Sequence, residues 1–262
     1  MVKYSYWLER YKDMLLNGNC LEEMNKVADE SVDLILTDLP YGTSACSWDS
    51  MIPLDALWEH YKRVLKPDGV VVLFGSEPFS SLVRCSNLEM YKYDWKWVKP
   101  RGANFLNVKY QPLKNYEDIM VFSKAAASFS NGGLNMVYNP QMEDGVPYVQ
   151  YSGRQKNTKN NATVRSEIKS VLTENEGVRY PKAILEYGFD KEKFHPTQKP
   201  VALLSYLIET YTNVGGLVLD SCMGSGSTGV ACKQTGRDFI GIELNEDYFN
   251  IAKERIDALW ML

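Results

Sequence analysis

Short apolar runs alternate with longer segments of helical periodicity along this 262-residue chain, and that alternation limits its fold more than any other feature. The runs 33–37 (DLILT), 70–74 (VVVLF), 93–98 (YDWKWV), 118–122 (DIMVF), 217–219 (LVL) and 238–242 (DFIGI) have the length and the β-branched or aromatic content of strands. A seventh, 13–17 (DMLLN), ends at Gly18. Helices are expected over 54–65, 201–211 and 246–260, where apolar residues fall three and four apart, as in Leu54, Leu57, Trp58, Tyr61 and Leu65. Pro53 and Pro200 stand where two of them begin, and Gly69 and Gly236 where a helix ends. Strands joined through helices pair in parallel and are covered on both faces. The expected class is therefore α/β, with a doubly wound, mostly parallel seven-stranded sheet.

The charge balance narrows the partners. With 29 Lys and Arg against 33 Asp and Glu the net charge is −4, so an anionic partner has to be met by a local patch rather than by the whole surface. The sequence has no uninterrupted apolar run of about 18 residues, and no membrane-spanning helix is expected. The N-terminal MVKYSYWLERYKD lacks the apolar centre of a signal peptide, and a cytoplasmic location is the expectation. The five cysteines (Cys20, Cys46, Cys85, Cys222 and Cys232) form no CxxC pair, and there are only two histidines. Neither a disulfide framework nor a metal site is expected.

Between about 124 and 194 the texture changes to an Asn-, Gly-, Ser- and Gln-rich stretch of poor periodicity, and an irregular segment of that length usually serves a purpose. Two basic stretches stand out. Residues 151–170 contain Arg154, Lys156, Lys159, Arg165 and Lys169 against Glu167 alone. Residues 84–114 carry seven cations, among them Lys96, Lys99 and Arg101, against Glu89 and Asp94, interleaved with Tyr91, Tyr93, Trp95, Trp97 and Phe105. These runs are either solvated faces of ordinary elements or, since cations and stackable rings are what a nucleic-acid groove needs, a DNA-contacting surface.

Residues 217–229 read LVLDSCMGSGSTG, a strand, an acid, a glycine turn and a helix start, and Glu243 closes the next strand. Gly224, Gly226 and Gly229 match the dinucleotide pattern GxGxxG, and Glu243 is placed to accept ribose hydroxyls. Asp220 separates the candidate ligands. A carboxylate at that strand tip repels a pyrophosphate but attracts the ammonium group of S-adenosylmethionine. An NAD-dependent oxidoreductase remains the alternative. The second motif is Asp38-Leu39-Pro40-Tyr41-Gly42, directly after VDLILT and so at a carboxyl end of the sheet, where open α/β folds place ligands. An exocyclic amine is a poor nucleophile because its lone pair is delocalised into the base. Two acceptors gripping its N–H bonds would free that pair, and the Asp38 carboxylate with the Leu39 carbonyl forms such a couple, since Pro40 keeps residue 39 extended. Tyr41 would stack on the base. Carbon-5 methylation of cytosine needs a Pro-Cys nucleophile and a zinc deaminase needs His-x-Glu with a Cys pair; the sequence has neither.

Taken in order, DLPYG, HPTQKP at 195–200 and LDSCMGSGSTG followed by FIGIE resemble the amino-methyltransferases of DNA, which modify adenine N6 or cytosine N4. The order, with the tetrapeptide first and the cofactor loop last, is similar to their permuted beta group, and especially to compact stand-alone methylases; the resemblance covers roughly residues 14–259. It implies a Rossmann-like S-adenosylmethionine-dependent fold with a catalytic half (1–123), an inserted target-recognition region (124–194) and a cofactor-binding half (195–262). It implies that Asp38, Leu39, Pro40 and Tyr41 hold the target base, with adenine favoured by an Asp-led tetrapeptide and cytosine N4 as the alternative. Asp38, Asp220, Gly224, Ser225 and Gly226 would border the cofactor, Glu243 would bind its ribose, and Thr197 and Lys199 would lie near its carboxylate. Asn19-Cys20 would lie beside its adenine. Lys96, Lys99, Arg101, Arg154 and Lys156 are the candidate DNA contacts. The implied partner is double-stranded DNA, with a homodimer common among relatives; a catalytically dead DNA-binding protein is the remaining alternative. Three positions depart from the family pattern: Leu39 replaces a proline, Cys222 a phenylalanine and Asn19 an aspartate. His195 is expected to shape a turn.

Overall fold

The computed structural model describes residues 14–42, 50–129, 132–152 and 171–260. In chain order the elements begin with β1 (Met14–Asn17), α1 (Cys20–Glu23), β2 (Val32–Thr37), α2 (Leu54–Val64), β3 (Leu65–Gly75), α3 (Phe79–Ser86), β4 (Tyr91–Ala103) and β5 (Lys114–Ser123). Four strands follow, β6 (Glu143–Asp144), β7 (Tyr148–Ser152), β8 (Val171–Asn175) and β9 (Val178–Arg179). The chain ends with β10 (Ile184–Glu186), α4 (Val201–Tyr211), β11 (Leu217–Asp220), α5 (Ser227–Thr235), β12 (Asp238–Glu243) and α6 (Glu246–Asp257).

The main sheet has the order β1-β12-β11-β2-β3-β5-β4-β10. The first five strands run parallel, β5 is antiparallel to both neighbours, and β10 joins β4 in parallel. The expected class holds, with one correction. Among the described residues the sheet has eight strands, because Ile184–Glu186, three residues too short to show periodicity, adds an edge.

Alternation along the central strands divides the core. Leu34 and Leu36, Val70, Val72 and Phe74, and Val218 face one side with α4, α5 and residues Ala252 and Ile256 of α6. Ile35, Val71 and Leu73, and Leu219 face the other side with Leu57, Trp58 and Tyr61 of α2 and Phe79 and Val83 of α3. Helices therefore cover both faces, as parallel strands require. Pro53 and Pro200 are N-caps and Gly236 is a left-handed C-cap, whereas Gly69 lies inside β3.

The aromatic run at 91–97 belongs to this interior. Trp95 and Trp97 are buried and Tyr91 packs edge-on to Phe122 at 5.6 Å, so these rings are core packing and not a stacking platform for bases. The Trp95 indole N–H donates to the Tyr211 hydroxyl at 2.6 Å, which also lies 3.1 Å from the Tyr93 hydroxyl.

Residues Pro140–Lys182 form a separate, smaller unit, narrower than the 124–194 expected for the insertion. Its described residues include two antiparallel pairs, β7 with β8 and β6 with β9. The Arg179 guanidinium lies over the Tyr148 ring at 4.7 Å, and Val149, Tyr151 and Tyr180 are exposed. Arg154 and Lys156, like the start of the 13–17 run at Asp13, lie outside the described residues.

Tyr211→Phe strands the buried Trp95 N–H without its acceptor. It is expected to cost about 1–3 kcal/mol of unfolding free energy, read as a lowered urea midpoint at unchanged slope; an unchanged midpoint would place no weight on this bond.

Candidate active site at the carboxyl edge of the sheet

The parallel strands β1, β12, β11, β2 and β3 end on one edge, and a cleft of about 820 Å³ opens there, lined by Asn19, Asp38, Tyr41, Asp220, Gly224 and Glu243 among others. Its size falls in the ~300–1,000 Å³ range of small-molecule sites. The two sequence motifs thus meet in one cavity although they lie at opposite ends of the chain.

The join between them is a threonine. Thr37, the last residue of β2, donates its hydroxyl to Asp220 and accepts the Ser221 N–H at 2.9 Å. Asp220 also accepts from the Thr228 hydroxyl at 2.6 Å and the Cys222 N–H at 3.1 Å. Burial pushes its carboxyl up to about 6, against the pull of these donors. The glycine turn is tied back by Glu243, which accepts the Gly224 N–H and the Asn245 N–H, each at 2.8 Å. Arg255 of α6 holds Ser225 through its carbonyl and, at 3.1 Å, its hydroxyl. Gly224 leaves open space: a Cβ there would meet nothing nearer than the His195 ring at 3.9 Å. Asn19 caps α1, accepting the Leu21 N–H at 3.0 Å. Cys20 and Cys222 both line this end of the cleft, and their interaction lowers the pKa of the Cys20 thiol and raises that of Cys222.

On the DLPYG side of the cleft, Leu39 is buried against the α2–α3 face, which anchors the segment through a side chain where the family carries a proline. Tyr41 donates to Asp38 at 2.9 Å and stacks on Phe79 with ring centroids 4.7 Å apart. Burial and the Asp38 charge push the Tyr41 phenol well above its ordinary value, so it stays a donor at neutral pH. Burial pushes the Asp38 carboxyl up, and the neighbouring Lys199 ammonium opposes that rise. Lys199 is itself only 8% exposed; it pairs with Asp38 and lies 3.4 Å from Glu117 of β5. Lys99 of β4 pairs with the same Glu117. His195 accepts from the Thr197 N–H at 3.2 Å, and Gln198 N–H bonds the His195 carbonyl at 3.2 Å, which is the turn expected of HPTQKP.

Several of the expected cations have partners within the protein. Lys199, expected near the cofactor's carboxylate, lines the cleft and pairs with Asp38 and Glu117. Lys96 and Lys99 are likewise paired, with Asp118 and Glu117 respectively, and Arg84 with Glu77, Asp94 and Asp118. The basic excess counted over 84–114 is therefore partly neutralised by Glu117 and Asp118, just beyond that window. Arg101 remains exposed. Thr37, Glu117 and Arg255 carry the site's architecture although no motif marks them as site residues, whereas Thr228 lies inside the glycine-turn motif.

A mainly parallel sheet of this order, with a glycine turn after one strand, an acid closing the next and an Asp-led segment after their neighbour, defines an S-adenosylmethionine-dependent methyltransferase. The chain belongs to the N6/N4 DNA methylase family, whose model matches residues 32–254. It is 30% identical to the type II methyltransferase M.HpaI of Haemophilus parainfluenzae over 257 residues, covering 93% of this chain and 74% of that protein. It is 29% identical over 256 residues to the DNA adenine methyltransferase YhdJ of Escherichia coli K12, covering 93% and 82%. Among solved structures, M1.HpyAVI in complex with S-adenosylmethionine matches at 26% identity and a TM-score of 0.59 over 93% of this chain and 99% of that one. The PvuII cytosine-N4 methyltransferase, at 16% identity and a TM-score of 0.65 over 95% and 92%, shares the fold. Family membership removes the NAD-dependent reading of the glycine turn. Among the described residues no helix is long and apolar enough to cross a membrane, and no cluster of three or more metal-ligating side chains occurs.

Gly226 combines a left-handed φ of 81° with a packed neighbour, since a Cβ would lie 2.8 Å from that of Ala252. Gly226→Ala is expected to cost about 1–3 kcal/mol through strain, plus displacement of α6, seen as a lowered Tm and weakened S-adenosylmethionine binding. A Tm equal to that of the parent protein would contradict this.

Proposed function

We propose that this DNA methyltransferase transfers the methyl group of S-adenosylmethionine to N6 of an adenine swung out of duplex DNA. The observation that supports this reading best is the shared cleft. The Asp38 carboxylate, held by Tyr41 and Lys199, faces the same cavity as the glycine turn and Glu243. The cleft's acids suit the donor: Asp220 attracts its ammonium group, and Glu243 and Asn19 offer polar atoms to its ribose and adenine. When bound, the cofactor supplies an electrophilic methyl whose C–S bond breaks, the electron pair returning to sulfur, as the N–C bond forms.

The chain's own residues do the rest. Asp38 and the Leu39 carbonyl accept the two amine N–H bonds and draw the lone pair out of conjugation, and Asp38 is placed to take the proton the nitrogen sheds. One face of Tyr41 rests on Phe79, which braces the ring for a base on its other side; such stacking is worth about 1–3 kcal/mol against a flipping cost of a few. Adenine is favoured over cytosine by the Asp-led tetrapeptide and by the likeness, over 93% of this chain, to the E. coli adenine enzyme.

DNA engagement is assigned to the connection between β4 and β5. Both strands reach the carboxyl edge, pairing Ala103 with Lys114, so residues 104–113 project beyond the cleft rim formed there by Lys99 and Glu117. The tip exposes Phe105 (70%), Leu106 (83%) and Tyr110 (88%). It is flanked by Arg101, Lys109 and Lys114, and no Asp or Glu occurs from Trp95 to Tyr116. Apolar tips between cations suit insertion beside unstacked bases. The β7–β8 ribbon, a shape the major groove admits, is the candidate reader of sequence. The cytoplasm is the proposed location.

Asp38→Asn is expected to lower methyl transfer at least ~100-fold, the scale of losing a polar group aimed at the reacting atoms, while S-adenosylmethionine binding by calorimetry stays largely intact. Equal loss of both would refute the division of labour. Arg101→Glu with Lys109→Glu should weaken DNA binding and flatten its salt dependence by about 2 in slope, near 0.9 per lost phosphate contact. An unchanged slope would remove this hairpin from the interface.

A further inference from the structure

Four charged side chains form an unbroken chain along the carboxyl edge. Lys99 on β4 pairs with Glu117 on β5, Glu117 lies 3.4 Å from Lys199 in the turn before α4, and Lys199 pairs with Asp38 after β2. The Lys199 ammonium lies 5.1 Å over the Phe74 ring near the end of β3, and so spans the one strand that separates β2 from β5 in the sheet order. Removing charges from water is costly, and apolar residues of similar volume usually hold a fold as well as a buried ion pair does. Stability alone is therefore a weak reason for this arrangement. What it does locally is specific. Tyr41 donates to one Asp38 oxygen and Lys199 to the other, which fixes the carboxylate plane and leaves each oxygen with lone-pair capacity for an incoming N–H.

We propose that Lys199 and Glu117 are positioning residues of the methyl-transfer reaction: Lys199 holds Asp38 as an ionised, oriented acceptor, and Glu117, itself steadied by Lys99, sets how strongly Lys199 does so. The proposal rests on the reading of Asp38 as the group that grips the target amine, and it moves Lys199 away from the cofactor carboxylate suggested by resemblance. The charged and titratable groups facing Asp38 are Tyr41 on its own segment, Lys199 before α4, Glu117 on β5 with Lys99 behind it on β4, and Asp220 on β11. Asp118 acts on Tyr41, and His195 lies within the field of Lys199. Lys199 is the cation in direct contact with Asp38, and Glu117 is both its competitor for that cation and a like charge.

The two residues therefore act on Asp38 with opposite sign. Lys199→Met removes the counter-ion, so Asp38 is expected to protonate more readily and the acid limb of the kcat–pH profile to move up by about 1 unit or more. Glu117→Gln removes the competitor and the repulsion, and the limb is expected to move down. Lys199→Arg, which keeps the charge, should leave the limb near that of the parent protein, and with Glu117→Gln it decides the matter if Lys199→Met does not fold. The measurement is single-turnover methylation of duplex DNA at saturating S-adenosylmethionine across a pH series that covers the acid limb, with cofactor Kd measured in parallel. Opposite displacements at unchanged cofactor Kd support the assignment. Lower rates with unmoved limbs would reduce both residues to structural supports. A cofactor Kd raised by Lys199→Met with an unmoved limb would return Lys199 to the cofactor's carboxylate. Failure of the underlying reading looks different: Asp38→Asn would then retain methyl transfer, whatever the other variants do.

Discussion

The Thr37 hydroxyl is the contact on which the site depends. By donating to Asp220 and accepting from the Ser221 N–H, it fastens the tip of β2 to the tip of β11 at a sequence separation of 183 residues. Register within the sheet, Val218 opposite Leu34 and Leu219 opposite Ile35, brings the strands together, but the threonine sets the carboxylate of one motif beside the backbone that launches the other. The two segments thus leave the sheet one strand spacing apart, about 4.7–4.9 Å. On the proposed reading, proximity of this kind is most of what attack on a sulfonium methyl requires, because the electrophile is already activated.

Much of this was legible in the sequence. Six apolar runs and the DMLLN segment all became strands of one sheet, since half-buried and fully buried strands of ordinary length leave a clear pattern. The glycine turn and DLPYG were found because each combines a strand end with residues that constrain the backbone. The failures have physical causes. Ile184–Glu186 forms an edge strand through backbone pairing with Lys96–Val98, which requires no side-chain pattern. Helix α3, FSSLVRCS, buries only Phe79, Ser80 and Val83, and its serines blur the apolar stripe.

The charge map was harder to read because ion pairing is a property of strand neighbours and not of sequence windows. Glu117 and Asp118 sit across a ladder from Trp97 and Lys96, so they neutralise lysines some twenty positions away, and the run that looked most basic is quieter than its composition. The same effect bears on Lys199, for which resemblance implies a place near the cofactor's carboxylate and which pairs with Asp38 and Glu117. The tryptophans of β4, which the sequence left open between an ordinary element face and a base-stacking surface, are buried for a related reason. An aromatic next to a lysine looks like a nucleic-acid platform until the alternation of the strand turns the ring inward.

The strand order also bears on how the molecule is made. In the finished sheet, β11 lies between β2 and β12, and β1 pairs with β12, so two early strands find their partners only in the last fifth of the polypeptide. During synthesis β2, with its fully apolar centre Leu34–Leu36, has one unpaired edge until residues 217–220 have left the ribosome. Contacts of such high sequence separation slow folding, and a bare apolar strand edge invites association with other chains. The permuted order therefore carries a kinetic exposure that a chain with its glycine turn at the front would avoid, and it makes the completed C-terminal strands a precondition for cofactor capture as well as for the closing of the sheet.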